Sequence, residues 1–211
     1  MSNLVVDIER TMRSEHKTES AKGTIFYQPP DDILIHITEP VNQWLNSKSK
    51  TLLIYYPDDK KAFRIQAQFP FTLTFFQAFI GAMKGSLGLT ETGFTLHKNE
   101  RRGDTLVTYW SPPAKAKRAL GPVIIGLVDD RMGFMEMRNN RGKTLVRVSY
   151  SQYHKIDGLN LPLEVSAVRY MGKDTTYETV HYRNPRLNIK LPDEVVNFKI
   201  PDGTDVKEVR W

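Results

Sequence analysis

Residues 23–57, GTIFYQPPDDILIHITEPVNQWLNSKSKTLLIYYP, carry apolar side chains at alternate positions, with turn residues between the runs. Ile25 and Tyr27, then Ile33, Ile35 and Ile37, then Leu53 and Tyr55 keep this period of two. A strand with that spacing turns one apolar set to one face. The breaks are Pro29-Pro30-Asp31-Asp32, Pro40, and Asn46 to Lys50. Neither a continuing strand nor a helix tolerates such punctuation. The stretch therefore reads as consecutive β-strands joined by short turns.

The pattern extends along the chain. Strands are expected at about 4–18, 22–28, 32–38, 41–46, 51–56 and 61–68, with Glu19 to Lys22 turning the first pair. One helix is expected over residues 70–85, PFTLTFFQAFIGAMKG, because Pro70 suits a first helical turn and Gly85 a stop. Phe71, Phe75, Phe79 and Met83 share a stripe at spacings of four, with Phe76 and Ile80 beside it. Strands resume at about 92–99, 104–111, 122–129, 132–139, 143–153, 161–171, 175–185 and 196–200, separated by turns such as Arg102-Gly103 and Asp157-Gly158. Ala114 to Leu120 is expected as a short helix or a loop. A sheet this long must curl to bury its apolar face, and a helix can fill the hollow. The expectation is one domain over 1–211, mainly β: a strongly curved, open antiparallel half-barrel with the helix filling or lidding its concave face.

Composition narrows the function classes. Thirty Lys and Arg against 24 Asp and Glu give a net charge of +6, dispersed except for Arg101-Arg102 and Lys115 to Arg118. Such a balance favours acidic partners, including anionic lipid headgroups, against the plainer reading of a solvated basic surface that the even spread suggests; no nucleic-acid partner is expected. With no cysteine, disulfides, thiolate metal sites, a cysteine nucleophile and a lipidated cysteine are excluded from the chain. No stretch reaches the roughly 18 apolar residues that span a bilayer as a helix. The start, MSNLVVDIERTMRSEH, has no basic region followed by an apolar core and is not a signal peptide.

The order of elements in 23–57 resembles the LolA/LolB-like superfamily of periplasmic lipoprotein carriers and receptors. In that family a strand beginning with Gly runs into a Pro turn, a hydrophobic strand ends in Thr-x-Pro, and a Lys-Thr-Leu strand ends in Tyr-x-Pro. Here Gly23, Pro30, Thr38 with Pro40, Lys50-Thr51-Leu52, and Tyr55 with Pro57 take those places. The segment Phe198 to Val206 is similar to the family's final strand and its Pro-x-Gly-x-x-Val tail. The resemblance implies the half-barrel, a periplasmic location after removal of an export signal, and a cavity for acyl chains. It also implies lipid or lipoprotein cargo, an inner-membrane transporter and an outer-membrane acceptor as partners, and peripheral contact with membranes. One departure stands out. The soluble carrier's latch arginine falls at Pro29, after Gln28, and proline has no side-chain donor and no backbone N–H.

Catalytic and metal signatures are missing. His16, His36, His97, His154 and His181 have no partner at ligand spacing, and no nucleophile elbow or phosphate loop occurs. Asp31-Asp32 and Asp129-Asp130 sit in turns, where Asp bonds local backbone. No cofactor or metal is expected, and no enzymatic activity.

Two readings of the aromatic helix stay open. It is either core packing or a movable lid, the latter suited by its Phe and Met side chains and by Gly81, Gly85 and Gly88 at its end. Acyl-chain binding needs little beyond apolar area, so its site leaves no polar motif. On the family alignment the cavity wall is Ile33, Ile35, Ile37, Leu53, Tyr55, Phe63 and Ile65 from the sheet, with Phe71, Phe75, Phe76, Phe79, Ile80 and Met83 from the helix. The first functional expectation is a periplasmic carrier moving lipoproteins or lipids toward the outer membrane. The second is an envelope sensor or interaction module of the same fold that binds a protein partner.

Overall fold

The computed structural model describes residues 1–29, 32–48, 51–66, 79, 88–90, 92–172 and 174–210. Fourteen strands lie among them: β1 (Leu4–Arg13), β2 (Thr18–Gln28), β3 (Asp32–Glu39), β4 (Gln43–Lys48), β5 (Thr51–Tyr56), β6 (Lys61–Gln66), β7 (Thr95–Arg102), β8 (Thr105–Ser111), β9 (Leu120–Val128), β10 (Arg131–Asn139), β11 (Thr144–Ile156), β12 (Leu159–Met171), β13 (Asp174–Leu187) and β14 (Asp205–Arg210). They form one open sheet in the order β14-β6-β5-β4-β3-β2-β1-β13-β12-β11-β10-β9-β8-β7. The molecule is mainly β, as its alternation and short turns require. Two-residue turns carry much of the meander. Asp129-Asp130 and Asp157-Gly158 have positive φ at both positions, the backbone twist that suits a tight hairpin between twisted strands.

Two local expectations are corrected. The first hairpin turns at Ser14 to Lys17, closed by Ser14 N–H donating to Lys17 O at 2.8 Å, and not at Glu19 to Lys22. No Gly or Pro marks that turn, and Arg13 to Ser20 are polar throughout, so no change of pattern in the sequence places it. Residues 196–200 are not a strand. Pro192 caps a single helical turn, α1 (Asp193–Val196), and the last strand starts only after Pro201 and Gly203, whose φ is +81°. That strand, β14, runs parallel to β6.

The chain divides into two compact units. The first comprises Met1–Arg10, Ser20–Thr72 and Tyr182–Trp211, the second Thr11–Glu19 and Leu73–His181. In the first unit Val5 and Leu34 bury against Leu191 and Val195, with Phe26, Trp44, Ile189 and Phe198 packed around them. The segment after β13 thus covers one face of the strands beneath it. Polar hooks hold it there: the Asn3 side chain donates to Ile189 O at 2.8 Å, and Asn188 N–H donates to Asn3 O at 3.1 Å.

In the second unit Val165 stands opposite Val180 and Tyr150 opposite Val165, a row of buried side chains across β11, β12 and β13. Arg169 bonds Glu178 at 2.6 Å where the carboxylate is almost fully enclosed. An enclosed carboxylate needs such a partner. The 3-10 turn Ala114–Ala116 fills the place expected for a short helix or loop.

Gly23 shows how tightly neighbouring strands approach. An added Cβ would lie 2.2 Å from His36 O and 2.9 Å from Ile37 Cα, both backbone atoms of the paired strand. Gly23→Ala should therefore destabilise the protein by about 1–3 kcal/mol, read as a lower urea midpoint with an unchanged slope.

Glu136 on β10 is buried and accepts bonds from Arg138 Nε at 2.6 Å and Thr144 Oγ1 at 3.0 Å. Burial pushes its pKa up, but those bonds and the charges of Arg138 and Arg147 outweigh it and hold the pKa below 4.5. The unfolded chain takes up the proton more readily, so the stabilisation is complete above the unfolded value and is lost as pH falls through the folded one. Glu136→Gln should cost about 1.5 kcal/mol at pH 7. Its melting temperature should also fall less steeply than the parent's below about pH 4.5.

Candidate functional site

Cross-strand register decides which side chains share a face. On β2 and β3, Ile25 pairs with Ile35 and Tyr27 with Ile33. On β4, Leu45 faces Ile35 and Ser47 faces Ile33. On β5, Ile54 faces Leu45 and Leu52 faces Ser47. On β6, Phe63 faces Ile54 and Ile65 faces Leu52. Directly opposed residues project to the same side of a sheet. Ile25, Ile35, Leu45, Ile54 and Phe63 therefore form one apolar row across five strands, and Tyr27, Ile33, Leu52 and Ile65 a second in which Ser47 takes the β4 place. Tyr56 meets Phe63 edge-on at 6.2 Å, extending this face.

Five of the expected sheet residues, Ile33, Ile35, Ile37, Phe63 and Ile65, are brought together here. Leu53 and Tyr55 are not. Leu53 pairs with Asn46 and Tyr55 with Trp44, on the opposite face. The reason is a change of parity: Lys48 pairs with Thr51, so odd positions on β4 oppose even positions on β5, and the parity reverts at β6. The residues that complete the face are Leu52, Ile54 and Tyr56. The run Leu52 to Tyr56 is apolar at both parities, so its own sequence carries no sign of which side faces where.

The opposite face is occupied by ring stacking and the chain beyond β13. His36 stacks on Trp44 at 3.9 Å and 7°, and Trp44 packs on Phe198 at 5.2 Å. His36 Nε2 lies 3.0 Å from Asn42 Oδ1. Of the helix residues, Phe79 is helical and fully buried. Phe71, Phe75, Phe76, Ile80 and Met83 lie outside the described residues. Pro29 is exposed at the end of β2.

The remaining candidates stand apart. His16, His97 and His154 are exposed, and His181 Nδ1 lies 3.4 Å from Glu164. Among the described residues no three His, Cys, Asp or Glu side chains gather as metal ligands, and no helix is long and apolar enough to cross a membrane. Near the basic 101–118 stretch, Glu100 binds Lys98, Tyr109 and Arg102, which together draw its pKa down to about 2. Part of the local positive charge is thus satisfied within β7 and β8.

No protein-family model matches the chain, and no curated protein matches it in sequence. Solved structures do match. A DUF1329 family protein from Desulfovibrio piger shares 12% identity at a TM-score of 0.65, over 92% of this chain and 88% of that one. A LolA superfamily protein from Nitrosomonas europaea shares 17% at 0.64, over 92% and 89%. A Vibrio parahaemolyticus domain named for outer membrane lipoprotein sorting shares 13% at 0.64, over 93% and 89%. The chain has the LolA-type fold.

The register yields a direct check in a chain without cysteine. A Leu45→Cys, Ile54→Cys double variant should form a disulfide on mild oxidation, read by mass and by non-reducing gel. Leu45→Cys with Leu53→Cys should not, because those Cβ atoms leave opposite faces.

Proposed function

We propose that the protein is a non-enzymatic periplasmic carrier that holds the acyl chains of lipids or lipoproteins and moves them toward the outer membrane. The observation that carries this reading is the apolar row Ile25, Ile35, Leu45, Ile54 and Phe63 across β2 to β6, while Leu191, Val195 and Phe198 cover the reverse side of β2 to β4. Leu45, Ile54, Phe63 and Ile65 on this face are only half-buried. Ten methylenes laid on such a surface gain about 8 kcal/mol before ordering costs, without any polar recognition group. The likeness in fold to lipoprotein-sorting proteins supports the same direction.

The finer architecture belongs to this reading: a half-barrel whose concave side carries the apolar face, with residues 70–85 as its lid. So do the partners, an inner-membrane transporter and an outer-membrane acceptor. With Pro29 at the latch position, closure must be coupled to release by other groups.

Native mass spectrometry after gentle purification, followed by titration with a fluorescent long-chain acyl probe, tests the reading. Co-purified lipid and saturable binding are expected. Phe63→Asp or Ile65→Asp should weaken the probe at least tenfold, and Arg64→Ala, on the other side of β6, should leave it unchanged. Absence of both lipid and saturable binding overturns the carrier. Recovery of a stoichiometric protein partner that survives delipidation would instead establish the sensor or interaction module.

A further inference from the structure

Strands β7 to β13 form an antiparallel meander in which each pairs with the next in sequence. Alternate connections of a meander lie at the same end of the sheet. Residues 112–119, 140–143 and the turn after Met171 are therefore at one end, and 103–104, 129–130 and 157–158 at the other. Charge divides between these ends. The described residues of the first set include Lys115, Lys117, Arg118, Arg141 and Lys143 and no acid. The second set carries Asp104, Asp129, Asp130 and Asp157 and no cation.

The aspartates are offset. Arg131 donates to Asp129 Oδ2 at 3.0 Å, and Arg101, Arg102 and Lys155 flank the other two turns in sequence, so that end is close to neutral. The cations are not. All five are exposed, and none forms an ion pair among the described residues. Asp174, the first residue of β13, is the one acid that directly adjoins their connections. Asn139 Oδ1 accepts the backbone N–H groups of Arg141 and Lys143, both at 2.9 Å, which fixes that turn. Asn140 Nδ2 donates to Arg118 O at 2.6 Å and ties it to 112–119. Like charges gathered this way repel, a cost that an anionic partner offsets.

The same end exposes apolar groups. Met171, the last residue of β12, is 69% exposed, and Tyr177, near the start of β13, is 55% exposed. Leu96, near the start of β7, is 50% exposed and pairs with Trp110 at the end of β8. A solvated polyanion such as nucleic acid gives a methionine or a leucine nothing to pack on. A lipid interface takes both, and the apolar ring and polar hydroxyl of tyrosine suit its boundary.

We propose that this end of the second unit docks on an anionic phospholipid surface, with the five cations over the headgroups and Met171 at the edge of the acyl region. Each cation held close to such a surface strengthens binding about fivefold, and the attraction fades within a Debye length. Docking of this kind goes beyond the carrier reading and does not depend on it, because it engages headgroups from outside and needs no acyl chain on the β2 to β6 face.

Co-sedimentation of the full chain with vesicles tests it, comparing phosphatidylcholine alone with phosphatidylcholine containing about one-third phosphatidylglycerol. Binding is expected only to the anionic vesicles, and it should be lost at about 1 M salt, where the Debye length falls to about 3 Å. Lys117→Gln, Arg118→Gln and Arg141→Gln together should weaken it about a hundredfold. Arg101→Gln, Arg102→Gln and Lys155→Gln together, at the opposite end, should leave it nearly unchanged. Met171→Asp should weaken it about tenfold. The replaced side chains are all exposed, so the circular dichroism spectrum should be retained in each variant. No binding to the anionic vesicles, equal binding to both vesicles, equal loss from the two triple variants, unchanged binding in Met171→Asp, or tighter binding of duplex DNA than of the anionic vesicles overturns the proposal.

Discussion

Strand pairing sets every other property of this protein. A strand has two faces, and a slip of one residue in pairing exchanges them. Across β2 to β6 the ladder keeps apolar side chains in register through four successive pairings, including the one between β4 and β5 where parity changes. Had Lys48 paired one position further along, Ile54 and Leu52 would have gone to the Trp44 side, and the apolar face would have been broken in its middle.

Much of this was legible in the sequence. Ile33, Ile35 and Ile37 alternate with Leu34, His36 and Thr38, and their strand lies within a residue of its expected place. Pro, Gly and Asp clusters marked most turns because those residues supply backbone angles that strands avoid. Leu53 and Tyr55 lie on the Trp44 side for a physical reason: a strand apolar on both sides encodes its existence but not its orientation, which is set by the neighbour it joins. The C-terminal strand was displaced because Phe198 to Ile200 alternates like a strand while packing as a strap over Trp44.

The bonding of the β11 tyrosines was invisible for a different reason. Tyr150 and Tyr153 lie in a strand rich in Tyr, Val and Ser, where aromatic residues are ordinary. What distinguishes them is whether each hydroxyl finds a partner. That depends on Met132 arriving from β10 beside one ring and on no acceptor arriving beside the other. Sequence spacing holds no record of such an encounter.

The parallel pairing of β14 with β6 has a consequence in time. Arg64 and Glu208, which bond at 2.7 Å across this pair, are separated by 144 positions in the chain. Closing so long a loop costs only about 0.6 kcal/mol more for each doubling of its length, so the contact is thermodynamically affordable. Kinetically it comes last. On the ribosome β6 emerges well before its outer neighbour, and for that interval its ladder of amide and carbonyl groups stands open, the condition under which strands join foreign edges. A nascent chain of this topology therefore needs escort or speed until its final strand arrives, and the charged residues of β6, Lys61 and Arg64, act as the guard in the meantime.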